Sequence, residues 1–105
     1  DHPDTLNSRN NLAGALNSLG EHPQAADLHR QTLTDSERIL GPDHPDTLNS
    51  RNNLAITLDD LGEYPQAADL HRQNLTDSER ILGPDHPDTL TSRNNLAITL
   101  DDLGE

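Results

Sequence analysis

Gly41-Pro42-Asp43-His44-Pro45-Asp46-Thr47-Leu48, followed by Asn52-Asn53-Leu54-Ala55, returns 42 residues later as Gly83 to Leu90 and Asn94 to Ala97. The same words, starting from Asp1, open the chain. Residues 1–42 and 43–84 differ at six positions: 14, 15, 17, 18, 22 and 32 in first-unit numbering. Residues 85–105 repeat the first half of the second unit, with Thr91 in place of Asn49 as the single change. Repetition at a fixed period of this size marks a solenoid, in which a unit buries its apolar face only by stacking on its neighbours. The expected organisation is one array over 1–105. It consists of repeat 1 (1–42), repeat 2 (43–84) and a half repeat 3 (85–105). Beginning and stopping in phase with the repeat suggests an excised or engineered piece of a longer array.

Each unit reads as two helices. The first is expected from about Pro45 to Leu61. Proline suits the first helical position, where its missing N–H would be unpaired anyway, and Asp46 favours the positive end of the helix. Leu48, Leu54, Ala55, Leu58 and Leu61 share one face at helical spacing. Gly62 accepts the left-handed conformation that ends a helix. The second helix starts at Pro65, turns Ala67, Leu70, Leu75, Ile81 and Leu82 inward, and stops at Gly83-Pro84. The short turn from Gly62 to Tyr64 makes each pair antiparallel. The expected fold is therefore all-α, with helices in the order A1-B1-A2-B2-A3.

Composition narrows the function classes. The 105 residues carry 19 acidic and 7 basic side chains, a net charge of −12. That field opposes nucleic acid and anionic membrane surfaces. With no cysteine, thiol catalysis, disulfides and cysteine-based zinc sites are excluded. Leu and Ile supply the large apolar side chains, Val and Phe are absent, and Tyr64 is the one aromatic residue. A core of Leu and Ala buries little area per residue and is expected to be modestly stable. No apolar run reaches the length of a membrane span, and the start is unlike a signal peptide. A cytoplasmic location is expected.

Leu54-Ala55, Leu58, Gly62, Tyr64 and Ala67 stand at the spacings of the tetratricopeptide (TPR) signature. Asn52 to Ala55, Gly62 to Ala67 and Leu82 to Asp88 resemble the 42-residue variety found in kinesin light chains and bacterial signalling proteins. The resemblance covers the whole chain. It implies a right-handed α-solenoid whose A helices line a concave, protein-binding side. The large aromatics of ordinary TPRs are replaced here by Arg51, Leu58 and His71, and the inner groove is acidic.

On the helical wheel, the face of helix A opposite its apolar residues carries Asn49, Asn53, Ile56 and Asp60. The concave stripe is thus Asn7, Asn11, Gly14 and Ser18, then Asn49, Asn53, Ile56 and Asp60, then Thr91, Asn95, Ile98 and Asp102. Asp59 and Asp101 flank it. A primary amide both donates and accepts, so an asparagine ladder (Asn11, Asn53, Asn95) can pair with an extended peptide backbone. The TPR resemblance implies that role. The alternative is that these amides bond to neighbouring helices and set the superhelix. Gly14 leaves a gap where the later units have Ile. The acidic rim predicts a basic or neutral protein or peptide partner.

Arg51, with its equivalents Arg9 and Arg93, falls in the middle of an apolar face, opposite an inward face of helix B that carries His71 (His29 in the first unit), Asn74 and Ser78. A buried guanidinium needs partners. A structural polar network is expected, with Glu79 or Glu37 as counter-charge. The six histidines include no i, i+4 pair and no HExxH, so neither a metal site nor a cofactor is expected. No nucleophile–base pair or phosphate loop is visible, so catalysis is not expected. Two functions compete. One is a scaffold that holds a partner on the concave face. The other is a self-associating structural module, a homo-oligomer formed through open array ends by head-to-tail contact or helix exchange.

Overall fold

The computed structural model describes residues 3–104 and contains, among them, five helices. They are α1 (Pro3–Ser18), α2 (His22–Ile39), α3 (Pro45–Asp60), α4 (Tyr64–Leu82) and α5 (Pro87–Asp102). Helices adjacent in sequence make the main contacts: α1 with α2, α2 with α3, α3 with α4 and α4 with α5. The result is an α-solenoid of antiparallel pairs, forming a slab of 36 × 31 × 19 Å. The sidedness expected from the sequence is present. α1, α3 and α5 are the A helices; α2 and α4 are the B helices. The B helices begin one residue earlier than their prolines suggest, at His22 and Tyr64.

The His-Pro-Asp triplet that opens the second and third units is a helix start. The His44 backbone is extended, and its imidazole Nδ1 accepts the Asp46 N–H at 3.0 Å. His86 repeats this with the Asp88 N–H at 3.1 Å. Histidine thus serves as the N-cap, satisfying one of the donors that a helix start leaves unpaired. The corner after α3 is equally defined. Gly62 has φ +81°, its N–H donates to the Asp59 carbonyl at 3.0 Å, and the Glu63 N–H donates to the Leu58 carbonyl at 2.9 Å. That pair of bonds is the Schellman arrangement. A β-carbon at Gly62 meets no steric neighbour, so its cost is purely conformational. Gly62→Ala is expected to destabilise the array by roughly 1–2 kcal/mol in urea unfolding. The same change at Gly104, which has the same φ but no helix following it among the described residues, is expected to cost less.

The core is small. Its centre is Ala26, Leu54, Leu58 and Ala67, with Leu33, Leu61 and Leu70 packed partly against it. Ala25, Ala55 and Ala68 are fully buried at the helix crossings. Alanine occupies the fully buried positions, and several longer side chains stand half-buried around them. This corrects part of the expectation for helix B: Leu70, Leu75, Ile81 and Leu82 are half-buried, whereas Ala67, Ala68, His71, Asn74 and Ser78 form the buried face. α3 and α4 bury a complete face, while α5 leaves Leu90 and Ala97 exposed where α3 buries Leu48 and Ala55.

Candidate binding face

The polar row expected on the A helices lies along one face of α1, α3 and α5. Asn11, Asn49, Ile56, Asp60, Ile98, Asp101 and Asp102 are exposed on it, and Asn53, Asn95 and Asp59 are half-buried. The side chain of Asn7 lies outside what the structure describes. The half-buried members explain how the row is built. Asn53 Nδ2 donates to Asn10 Oδ1 at 3.0 Å, and Asn95 Nδ2 donates to Asn52 Oδ1 at 3.0 Å. Each unit therefore clasps the preceding one through the same amide pair. The donor of Asn53 serves the stack before it can serve a ligand.

A second contact joins the same helices near their C-terminal ends. Asn17 Nδ2 donates to Asp60 Oδ2 at 3.0 Å, and Asn17 Oδ1 lies 2.5 Å from His22 Nδ1. Three of the positions that vary between units, 17, 18 and 22, thus meet in one cluster. In the next step the equivalent residues are Asp59 and Asp102, so an amide–carboxylate bond gives way to two carboxylates. Burial raises the Asp59 pKa, the Asp102 charge raises it further, Asp60 adds a smaller push, and the Thr99 hydroxyl offsets part of the shift.

The sign of the consequence follows from linkage. A carboxyl with a raised folded pKa binds its proton more tightly in the folded chain than in the unfolded one, so its contribution falls as pH rises through the folded pKa. Asp35 and Asp43 act in the opposite sense, held below the usual carboxylate range chiefly by hydrogen bonds from Arg9 and Arg80. The stability they add is lost as pH drops through their lowered values. Asp59→Asn is therefore expected to raise the melting temperature at neutral pH and to flatten its dependence above the carboxylate range. An unchanged profile would show that burial and Asp102 do not raise the Asp59 pKa.

The arginines occupy the gaps between A and B helices. Arg51 is 1% exposed; its Nη1 donates to Asp77 Oδ2 at 2.8 Å and to Asn74 Oδ1 at 3.4 Å. Glu37 stands 4.0 Å from Nη2. The principal counter-charge is thus Asp77, not Glu79 or Glu37. Arg9 pairs with the equivalent Asp35 at 2.6 Å. Glu79 faces the next unit and meets Arg93 at 3.5 Å. His29 and His71 are buried, their Nδ1 atoms are unpartnered, and burial lowers their pKa values, which disfavours the charged imidazolium. Among the described residues no group of three or more His, Asp or Glu side chains could hold a metal ion, and no helix is long and apolar enough to cross a membrane.

The tetratricopeptide-repeat family model matches residues 4–77 and again 61–105. The chain belongs to the tetratricopeptide-repeat family. No curated protein matches it. Among solved structures, it is similar to a kinesin-light-chain-type protein of Podosopora anserina with nearly identical TPR-like repeats. The TM-score is 0.90 at 28% identity, over 99% of this chain and 49% of that one. A point variant of the same protein matches equally. The chain thus spans about half the length of these structures. TPR units generally mediate protein–protein interaction, and the family is one of repeat scaffolds rather than catalysts.

Proposed function

We propose that this TPR array is an interaction scaffold that holds an extended, neutral or basic peptide along the inner row of α1, α3 and α5. The observation that carries the reading is the row itself: exposed amides at Asn11 and Asn49 run alongside exposed carboxylates at Asp60, Asp101 and Asp102. Amides suit a peptide backbone, and the carboxylates suit basic side chains. The array has no catalytic role of its own in this reading and works in the cytoplasm, which cell fractionation would test. Short lysine-containing peptides are expected to bind, and their glutamate counterparts are not. Because the carboxylates are solvent-exposed, binding should weaken steeply as salt rises. Salt-insensitive affinity, or a preference for the acidic peptides, would overturn it.

A second reading, self-association, is favoured by the outer helices. Leu12 on α1 and Leu19 in the turn just after it are 53% and 76% exposed, and Leu90 on α5 is 47% exposed. Copies stacking through these faces would cover them in the way α2 and α4 cover α3. Light scattering over a concentration series is expected to show growth in mass; a monomer at every concentration would remove this reading.

A further inference from the structure

The inner row is interrupted at one place. Where α3 and α5 carry Ile56 and Ile98, α1 carries Gly14, and a β-carbon built there meets no atom within 4 Å. The space is an open cavity of about 300 Å³ between α1 and α3, lined mainly by polar side chains, four Asn with Thr57 and His29 of α2, and with Gly14 and Ile56 as its apolar part. His29 is 3% exposed, and its Nδ1 has no hydrogen-bond partner. Burial lowers its pKa, so the imidazole presents no positive charge. Ile56 is 38% exposed on the same face.

We infer that this cavity is an anchor pocket for one branched aliphatic side chain of a bound peptide, flanked in that peptide by basic residues. The inference rests on the peptide-scaffold reading and adds where the peptide is fixed and by what chemistry. The protein supplies the template. At the next station along the row the Ile56 side chain projects from the position equivalent to Gly14, so a ligand's sec-butyl or isobutyl group at Gly14 restores the row. Such a group would cover the exposed flank of Ile56, which gains from leaving water. The uncharged His29 imidazole gives a carboxylate no counter-charge. Asp60, which is exposed and bonded to Asn17 beside the pocket, attracts a basic residue next to the anchor. Glycine in the middle of a helix is a local loss of stability, so the space at Gly14 is held open against helix propensity.

The test uses peptides Gly-Ser-Lys-X-Lys-Ser-Gly with X as Ile, Ala, Lys or Asp. Binding is followed by amide chemical shifts in the whole chain and in Gly14→Ile. The variant places in α1 the residue that α3 already carries, and it should fold at least as well, which circular dichroism checks. The Ile peptide is expected to bind roughly tenfold more tightly than the Ala peptide, the size of effect that burying a few methyl and methylene groups gives. Its largest shifts should fall at Gly14, His29 and Ile56, and that preference should vanish in Gly14→Ile. Equal binding of all four peptides to both proteins would overturn the pocket while leaving the scaffold reading intact. Tightest binding at X = Lys would overturn it in favour of attraction to Asp60. Binding by none of them would remove both readings.

Discussion

Arg51→Ala is expected to cost the array about 3–5 kcal/mol, and Arg93→Ala less than about 1 kcal/mol, although the two arginines occupy the same position of successive units. Arg51 has a B helix on each side: Asp77 at 2.8 Å from α4 and Glu37 at 4.0 Å from α2. Its side chain is 2% exposed, against 50% for Arg93, which meets only Glu79 at 3.5 Å. Removing Arg51 takes the donor from Asn74 Oδ1, leaves Asp77 with Arg80 alone, and opens a void the length of the side chain in a partly dry gap. Small domains have about 5–15 kcal/mol in all, so this variant should sit near its unfolding midpoint in mild urea. Arg51→Met separates packing from charge. It keeps most of the stem volume, and Asp77 retains Arg80 at 3.4 Å, so its cost should lie between the other two. Equal costs for Arg51→Ala and Arg93→Ala, read from urea midpoints, would mean that burial of the guanidinium contributes nothing.

The same arginine shows where sequence reading reached its limit. The 42-residue period, the Pro starts and the Gly stops placed all five helices, because those signals act within a few residues of the chain. Of the two counter-charges expected for Arg51, Glu37 of the preceding unit stands at 4.0 Å, whereas Glu79 is turned away from it and Asp77 takes the close contact. A B helix in a solenoid has an A helix on each side, and two residues along it means roughly 200° of rotation. Asp77 therefore faces Arg51 in its own unit, and Glu79 faces Arg93 in the next. The amide ladder has the same character. The wheel puts Asn53 in one row with Asn49 and Ile56; that its donor is taken by Asn10 depends on the offset between stacked helices, which no single unit encodes. The histidine caps were legible in principle, since an imidazole two residues before an N–H at a helix start can accept from it, but the triplet was read only as a corner.

Leu54→Ala should cost about 2–5 kcal/mol and Leu12→Ala under about 1 kcal/mol, because truncation in a core loses both transfer energy and packing whereas truncation on a surface loses little. Leu54 is 5% exposed and packs with Ala26, Leu58 and Ala67; Leu12, its counterpart in the first unit, is 53% exposed. The residue, the helix position and most neighbouring letters are the same. The main difference is the preceding B helix, since α2 lies before α3 and no described helix lies before α1. In a one-dimensional array, stability is a sum over units and the interfaces between them, so the gap between the two variants measures one B-to-A interface. Leu96, half-buried on α5, should fall between them. Equal losses at all three positions would mean that each unit holds its own core without its neighbours. The Leu12 variant carries one more piece of information. If copies of the chain cover α1 by stacking, its cost, small in dilute solution, should rise toward that of Leu54→Ala as protein concentration increases, whereas for a monomer it stays flat.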